Sequence, residues 1–90
     1  MKKVYCELHM FDLTQKIYVI DTETNQCEFI TVSTMDRLPE MICAICNDDR
    51  NIKSVVIKGN TTFSSNIAEN ILSYSKEYYN YNEIKVEVIE

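Results

Sequence analysis

From Lys3 to Phe11 the residues alternate, with Val4, Cys6, Leu8 and Met10 on one side and Tyr5, Glu7, His9 and Phe11 on the other. A period of two is the signature of a strand, and the more apolar set faces the core. The alternation stops at Asp12–Gln15, resumes over Lys16–Ile20, stops again in the polar stretch Asp21–Gln26 and returns over Cys27–Val32. Strands joined by short polar loops predict an antiparallel meander.

The period then lengthens. Leu38, Met41, Ile42, Ile45 and Cys46 recur at the spacing of a helix with one apolar stripe. Asp36 is placed to cap it, and Pro39 falls in the first turn, where a missing N–H does least harm. Asn47–Asn51 ends it, since Asp48 and Asp49 oppose the helix dipole. Ile52–Lys58 carries Val55, Val56 and Ile57 in succession, which suits a central strand covered on both faces. Gly59 supplies a tight backbone position after it. Thr62–Asn80 is the second helix, with Ile67, Ala68, Ile71, Leu72, Tyr74 and Tyr78 along its stripe and Thr61, Thr62 or Ser64 as cap. Glu83–Ile89 alternates as the last strand.

Two strands separated by a helix of this length cannot form a hairpin, so they lie parallel with the helix crossing over one face. The predicted class is therefore α/β (α+β), a five-stranded mixed sheet with element order βββαβαβ. Right-handed crossovers in one direction put both helices on the same side. The other side is left bare, and alternation gives it Tyr5, Glu7, His9, Phe11, Tyr18, Ile20, Ile30, Val32 and Val56, with Lys85 and Glu87. A contiguous patch this apolar exceeds what monomers leave in water, so it is expected to pair with a protein partner or with a second copy as a homodimer.

This order of elements resembles the core of the ribonuclease H-like and actin-like superfamily, in which a meander is extended by parallel strands in the order 3-2-1-4-5. The resemblance spans nearly the whole chain and is one of topology. It implies a metal-holding acidic residue in the first strand, one on the first helix and one after the fourth strand. Glu7 and Glu40 match the first two positions, but Lys58, Gly59 and Asn60 follow strand four without a carboxylate. Two-metal chemistry needs several converging carboxylates, so the expected relation is structural, with activity absent.

Composition narrows the partners. Ninety residues suit a single domain, 1–90, and 46% hydrophobic with 26% charged residues is the balance of a folded globule. The net charge of −5 and the scattered Lys and Arg argue against nucleic acid. No apolar run approaches the roughly 18 residues of a membrane span, and Glu7, His9 and Asp12 interrupt anything like a signal peptide. The expected location is cytoplasmic, without membrane contact, and the four cysteines are expected as reduced thiols.

Little in the chain is poised for chemistry. Cys43-Ala-Ile-Cys46 lies inside the predicted helix rather than at its N-terminus, so core thiols are favoured over redox or metal roles. Glu7 and His9 have the residue types for acid–base work but no neighbouring nucleophile in sequence. Gly59, Asn60, Thr61 and Thr62, running on to Ser64, stand between strand and helix, where backbone N–H groups meet an anion. Tyr74, Tyr78, Tyr79 and Tyr81 have few basic neighbours and read as packing residues. No catalytic residue, metal site or cofactor is expected. The chain is expected to be a small non-enzymatic interaction or regulatory module pairing through the helix-free sheet face. The alternative is a minimal enzyme or nucleotide- or phosphate-binding protein using the Gly59–Ser64 loop.

Overall fold

The computed structural model describes residues 1–49, 51–79 and 84–90, and Thr61 in its backbone alone. Its elements are β1 (Lys2–Glu7), β2 (Thr14–Asp21), β3 (Cys27–Thr34), a 3-10 turn (Met35–Arg37), α1 (Leu38–Asp48), β4 (Ile52–Lys58), α2 (Thr61–Tyr79) and β5 (Lys85–Ile89). Asn80, Tyr81 and Glu83, expected at the end of the second helix and the start of the last strand, lie outside the described residues, as does Arg50. The strands form one mixed sheet in the order β3-β2-β1-β4-β5, the order that the resemblance implies. β1 pairs antiparallel with β2 and β2 with β3, while β1–β4 and β4–β5 are parallel.

Both helices cover one face and touch each other there. The core is the layer between: Val4, Cys6, Ile17 and Val19 from the meander, Val55 and Ile57 from β4, Leu38, Ile42, Cys43 and Cys46 from α1, Ile67 and Ile71 from α2. Val55, Val56 and Ile57 are all buried, as their succession predicts for a central strand.

Four local expectations change. β1 ends at Glu7, so Met10, Phe11 and His9 leave the strand and are exposed in the loop to β2. The cause is Gln15, a residue expected in a polar turn. It is fully buried; its Oε1 accepts the His9 N–H at 2.7 Å and its Nε2 donates to the carbonyls of His9 at 3.0 Å and Asp12 at 3.3 Å. An amide that satisfies a loop backbone from inside is retained where an apolar residue would leave those groups orphaned. In α1 the cap position is Arg37 rather than Asp36, because the 3-10 turn precedes it. The buried stripe of α2 runs through Ser64, Ile67, Ala68, Ile71 and Ser75, and leaves Leu72 and Tyr78 exposed. Ser75 tolerates burial because its hydroxyl donates to the Leu72 carbonyl at 2.9 Å. Finally, a bulge in β3 shifts its register between Ile17 and Tyr18, with consequences for the open face.

Ile71 is fully buried where α2 meets α1 and the sheet, and its carbonyl accepts the Cys43 thiol at 3.3 Å. Ile71→Ala is expected to cost about 2 to 5 kcal/mol of folding free energy, read as a fall in the urea midpoint with unchanged slope.

Candidate functional site: the helix-free sheet face

The strand registers define this face row by row. The central row is Phe29 opposite Tyr18, Tyr18 opposite Tyr5, Tyr5 beside Val56 and Val56 beside Glu87. On one side of it run Cys27, Ile20, Lys3, Ser54 and Lys85. On the other side Val32 faces Lys16, and Glu7, Lys58 and Ile89 continue across β1, β4 and β5. An aromatic stripe thus crosses three adjacent strands, with Lys3 and Lys85 below it and Lys16 and Lys58 above.

The β3 bulge is what completes the stripe. Simple alternation from Val32 gives this face Ile30, but the extra residue resets the parity and places Phe29 there instead. The rings of Phe29 and Tyr18 meet edge to face, centroids 5.8 Å apart at 67°, an arrangement worth about 0.5 to 1.5 kcal/mol beyond area. Val56 lies in the same row and is 6% exposed, buried between its neighbours on this face. Tyr18, Ile20, Tyr5 and Glu7 are half-buried, whereas Val32, Ile30 and Phe29 are exposed. Phe11 is expected here too, yet it stands free of the sheet in the β1–β2 loop.

The electrostatics of the face differ from those of the chain. The protein carries −5 overall, but this face presents four ammonium groups against the carboxylates of Glu7 and Glu87. Among the described residues none of those four lysines is in an ion pair.

At the carboxyl end of β1, Tyr5 Oη donates to Glu7 Oε2 at 3.4 Å, and Glu7 Oε1 lies 4.0 Å from His9 Nε2. Burial, then the Glu7 charge, raises the Tyr5 phenol above its ordinary value, so it stays protonated and keeps donating. Lys58 is the register partner of Glu7 on β4. Gly59 follows with φ of 153°, and a Cβ there would approach the Leu8 Cβ to 3.0 Å, so the turn and the close approach both require glycine. Gly59 N–H donates to the Ile89 carbonyl at 2.9 Å, Asn60 Oδ1 accepts the Thr62 N–H at 3.0 Å and the Asn60 carbonyl accepts the Ser64 N–H at 2.9 Å. In this expected anion loop the Gly59 N–H is thus taken by β5, and the Thr62 and Ser64 N–H groups by Asn60 at the start of α2. Ser64 Oγ is buried without a partner among the described residues.

The Cys43-Ala-Ile-Cys46 pair is core. Burial pushes the Cys43 thiol up to about 11 and those of Cys6 and Cys46 up to about 12. Among the described residues no three of His, Cys, Asp and Glu gather as a metal ion needs, and no helix is long and apolar enough to cross a membrane.

No protein-family model matches the chain, and neither does any curated protein. Among solved structures it is similar to the Holliday junction resolvase of fowlpox virus, at 21% identity and a TM-score of 0.47, over 98% of this chain and 60% of that one. It is also similar to the PPX-GPPA enzyme of Aquifex aeolicus, at 13% identity and a TM-score of 0.38, over 99% of this chain and 36% of that one. The chain therefore spans well under the full length of either.

Two expectations are corrected at this point. A non-enzymatic protein-interaction module with no nucleic-acid partner is what the sequence suggests, whereas the first of these structures is a resolvase. The ground for excluding nucleic acid, a scatter of basic residues, also fails: Lys3, Lys16, Lys58 and Lys85 are far apart in sequence and share one face in the fold.

The thiols give a direct check on the burial described. At pH 8 a thiol-specific chromogenic reagent is expected to titrate exposed Cys27 at once, and Cys6, Cys43 and Cys46 only on unfolding in urea, since their raised values keep them protonated.

Proposed function

We propose that this protein binds single-stranded nucleic acid across the helix-free face of its sheet. The observation that carries the proposal is the stripe Phe29–Tyr18–Tyr5 flanked by rows bearing Lys3 and Lys85 on one side and Lys16 and Lys58 on the other. Single strands are held by aromatic rings on which bases stack, set in a cationic groove that tracks the phosphates. Sheet faces serve well for this because side chains of alternate residues stand up from a flat base, as in domains where strand aromatics stack two or three bases. With neighbouring strands ~4.8 Å apart, rings on three adjacent strands span roughly 10 Å, which suits two or three nucleotides running across the strands.

The net charge of −5 does not oppose this mode. Salt screens charges beyond about 10 Å at 0.1 M, so the local excess of lysine governs the contact and the distant carboxylates act weakly. Asp36, Glu40 and Glu77 line a shallow groove on the helix side, away from the face. A duplex fits less well, because its bases are already stacked on one another and cannot lie on the Phe29, Tyr18 and Tyr5 rings.

Fluorescence anisotropy with labelled single-stranded 12-mers of DNA and RNA tests the proposal. Tyr18→Ala and Phe29→Ala are each expected to weaken binding about 5- to 150-fold, the equivalent of 1 to 3 kcal/mol per stacked base. Lys16→Gln and Lys58→Gln are expected to flatten the log–log salt dependence by roughly 0.7 each. Circular dichroism confirms that each variant is folded. Absence of binding at low salt, or affinity indifferent to both aromatic substitutions, refutes it.

A further inference from the structure

At the upper edge of the same face, Glu7 has one carboxylate oxygen on the Tyr5 hydroxyl at 3.4 Å and the other 4.0 Å from His9 Nε2, with Lys58 across from it on β4. A carboxylate and an imidazole 4.0 Å apart, with a lysine at the neighbouring register position and a ring proposed to stack a base beside them, are the parts of a phosphodiester-cleaving site that needs no metal. We propose that Glu7 and His9 cleave single-stranded RNA by intramolecular transphosphorylation, an inference that rests on the nucleic-acid-binding face described above.

The fold supplies the placement. Glu7 and Tyr5 are two residues apart on β1 and therefore project from the same face, so a nucleotide stacked on Tyr5 has its 3′ phosphate within reach of Glu7 and Lys58. His9 follows the strand, and its backbone is clamped on both sides by buried Gln15, which accepts its N–H at 2.7 Å and donates to its carbonyl at 3.0 Å. The backbone is fixed while the ring stays free: the side chains of His9 and Glu7 are 59% and 43% exposed, open enough to part around a phosphate. Gln15 is thus a positioning residue for His9.

In the step itself the Glu7 carboxylate takes the proton of the ribose 2′-hydroxyl, and O2′ forms a bond to the adjacent phosphorus. The bond from phosphorus to O5′ of the next nucleotide breaks, and protonated His9 gives its proton to that oxygen. Lys58 offsets the negative charge that builds on the non-bridging oxygens. The products are a 2′,3′-cyclic phosphate and a free 5′-hydroxyl. Glu7 and His9 then exchange protons with water, so no oxidant, metal or co-substrate enters. The Tyr5 hydroxyl holds the Glu7 oxygen that faces away from His9, which leaves the other oxygen for the incoming proton.

The test uses the full chain in excess EDTA with three labelled 12-mers of one sequence: RNA, 2′-O-methyl RNA and DNA. Binding is read by anisotropy and cleavage by gel, with the new 3′ end identified by mass. The expected result is that all three bind, that only RNA is cut, and that its product carries a 2′,3′-cyclic phosphate. Glu7→Gln and His9→Gln are each expected to slow cutting about 100-fold or more, the lower range for loss of a general acid or base, while RNA binding persists. RNA that is bound but stays intact overturns the inference and leaves the binding reading standing. Cutting of the 2′-blocked strand, or equal cutting by both variants, overturns it as well. Failure of all three strands to bind removes the binding reading, and this inference with it.

Discussion

The parallel pairing of β1 with β4 governs the rest of the molecule. It places the strand that begins the chain in the middle of the sheet, with the meander on one side and the crossover strands on the other. Because β3 runs parallel to β4, each helix is a crossover between parallel strands, and both crossovers advance in the same direction. Crossovers of one hand that advance one way must fall on one side. Among the described residues all helical cover lies there, so one layer becomes a dry core and the other face is covered by its own side chains.

The two faces answer that constraint differently. On the helix side the residues are small, branched and apolar, with Cys6, Cys43 and Cys46 among them acting as compact hydrophobes whose burial holds their thiols protonated. The only buried amide in this layer among the described residues, Gln15, is fully used by the loop it supports. On the open side Val56 is buried by the side chains around it rather than by a helix. Tyrosine and lysine suit such a surface because each has an apolar body that covers its neighbours and a polar tip that stays wet. The same amphipathic chemistry is what the proposed stacking of bases and contact with phosphates would use.

The open face and the carboxyl end of β1 are continuous, which is what joins the proposed binding to the proposed cleavage. Tyr5 belongs to both: its ring is part of the stripe and its hydroxyl reaches Glu7. The loop that carries His9 is held from the core by Gln15, so a buried residue sets the position of an exposed one. Gly59 lets the chain turn against Leu8 at the same end of the sheet, bringing the start of α2 close to the end of β1.

Local periodicity determined which segments are strands and which are helices, because alternation and the 3.6-residue stripe are properties of neighbours in the chain. Val4, Cys6, Val55, Ile57, Ile42 and Ile71 could be assigned to the core on that ground, whereas the sheet order was expected only from the resemblance that the element order bears to the ribonuclease H-like and actin-like core. What lies between strands was beyond such reasoning. The β3 bulge exchanges Ile30 for Phe29, and nothing in the local pattern marks where one residue drops out of register. Gln15 was legible in principle, since it shares a side with Ile17 and Val19, but a polar residue after a turn suggests solvent. The lysine rows were not legible at all. Lys3, Lys16, Lys58 and Lys85 are brought together by strand pairing across the whole chain, so their joint field exists only once the sheet has closed and long-range registers have put them on one face.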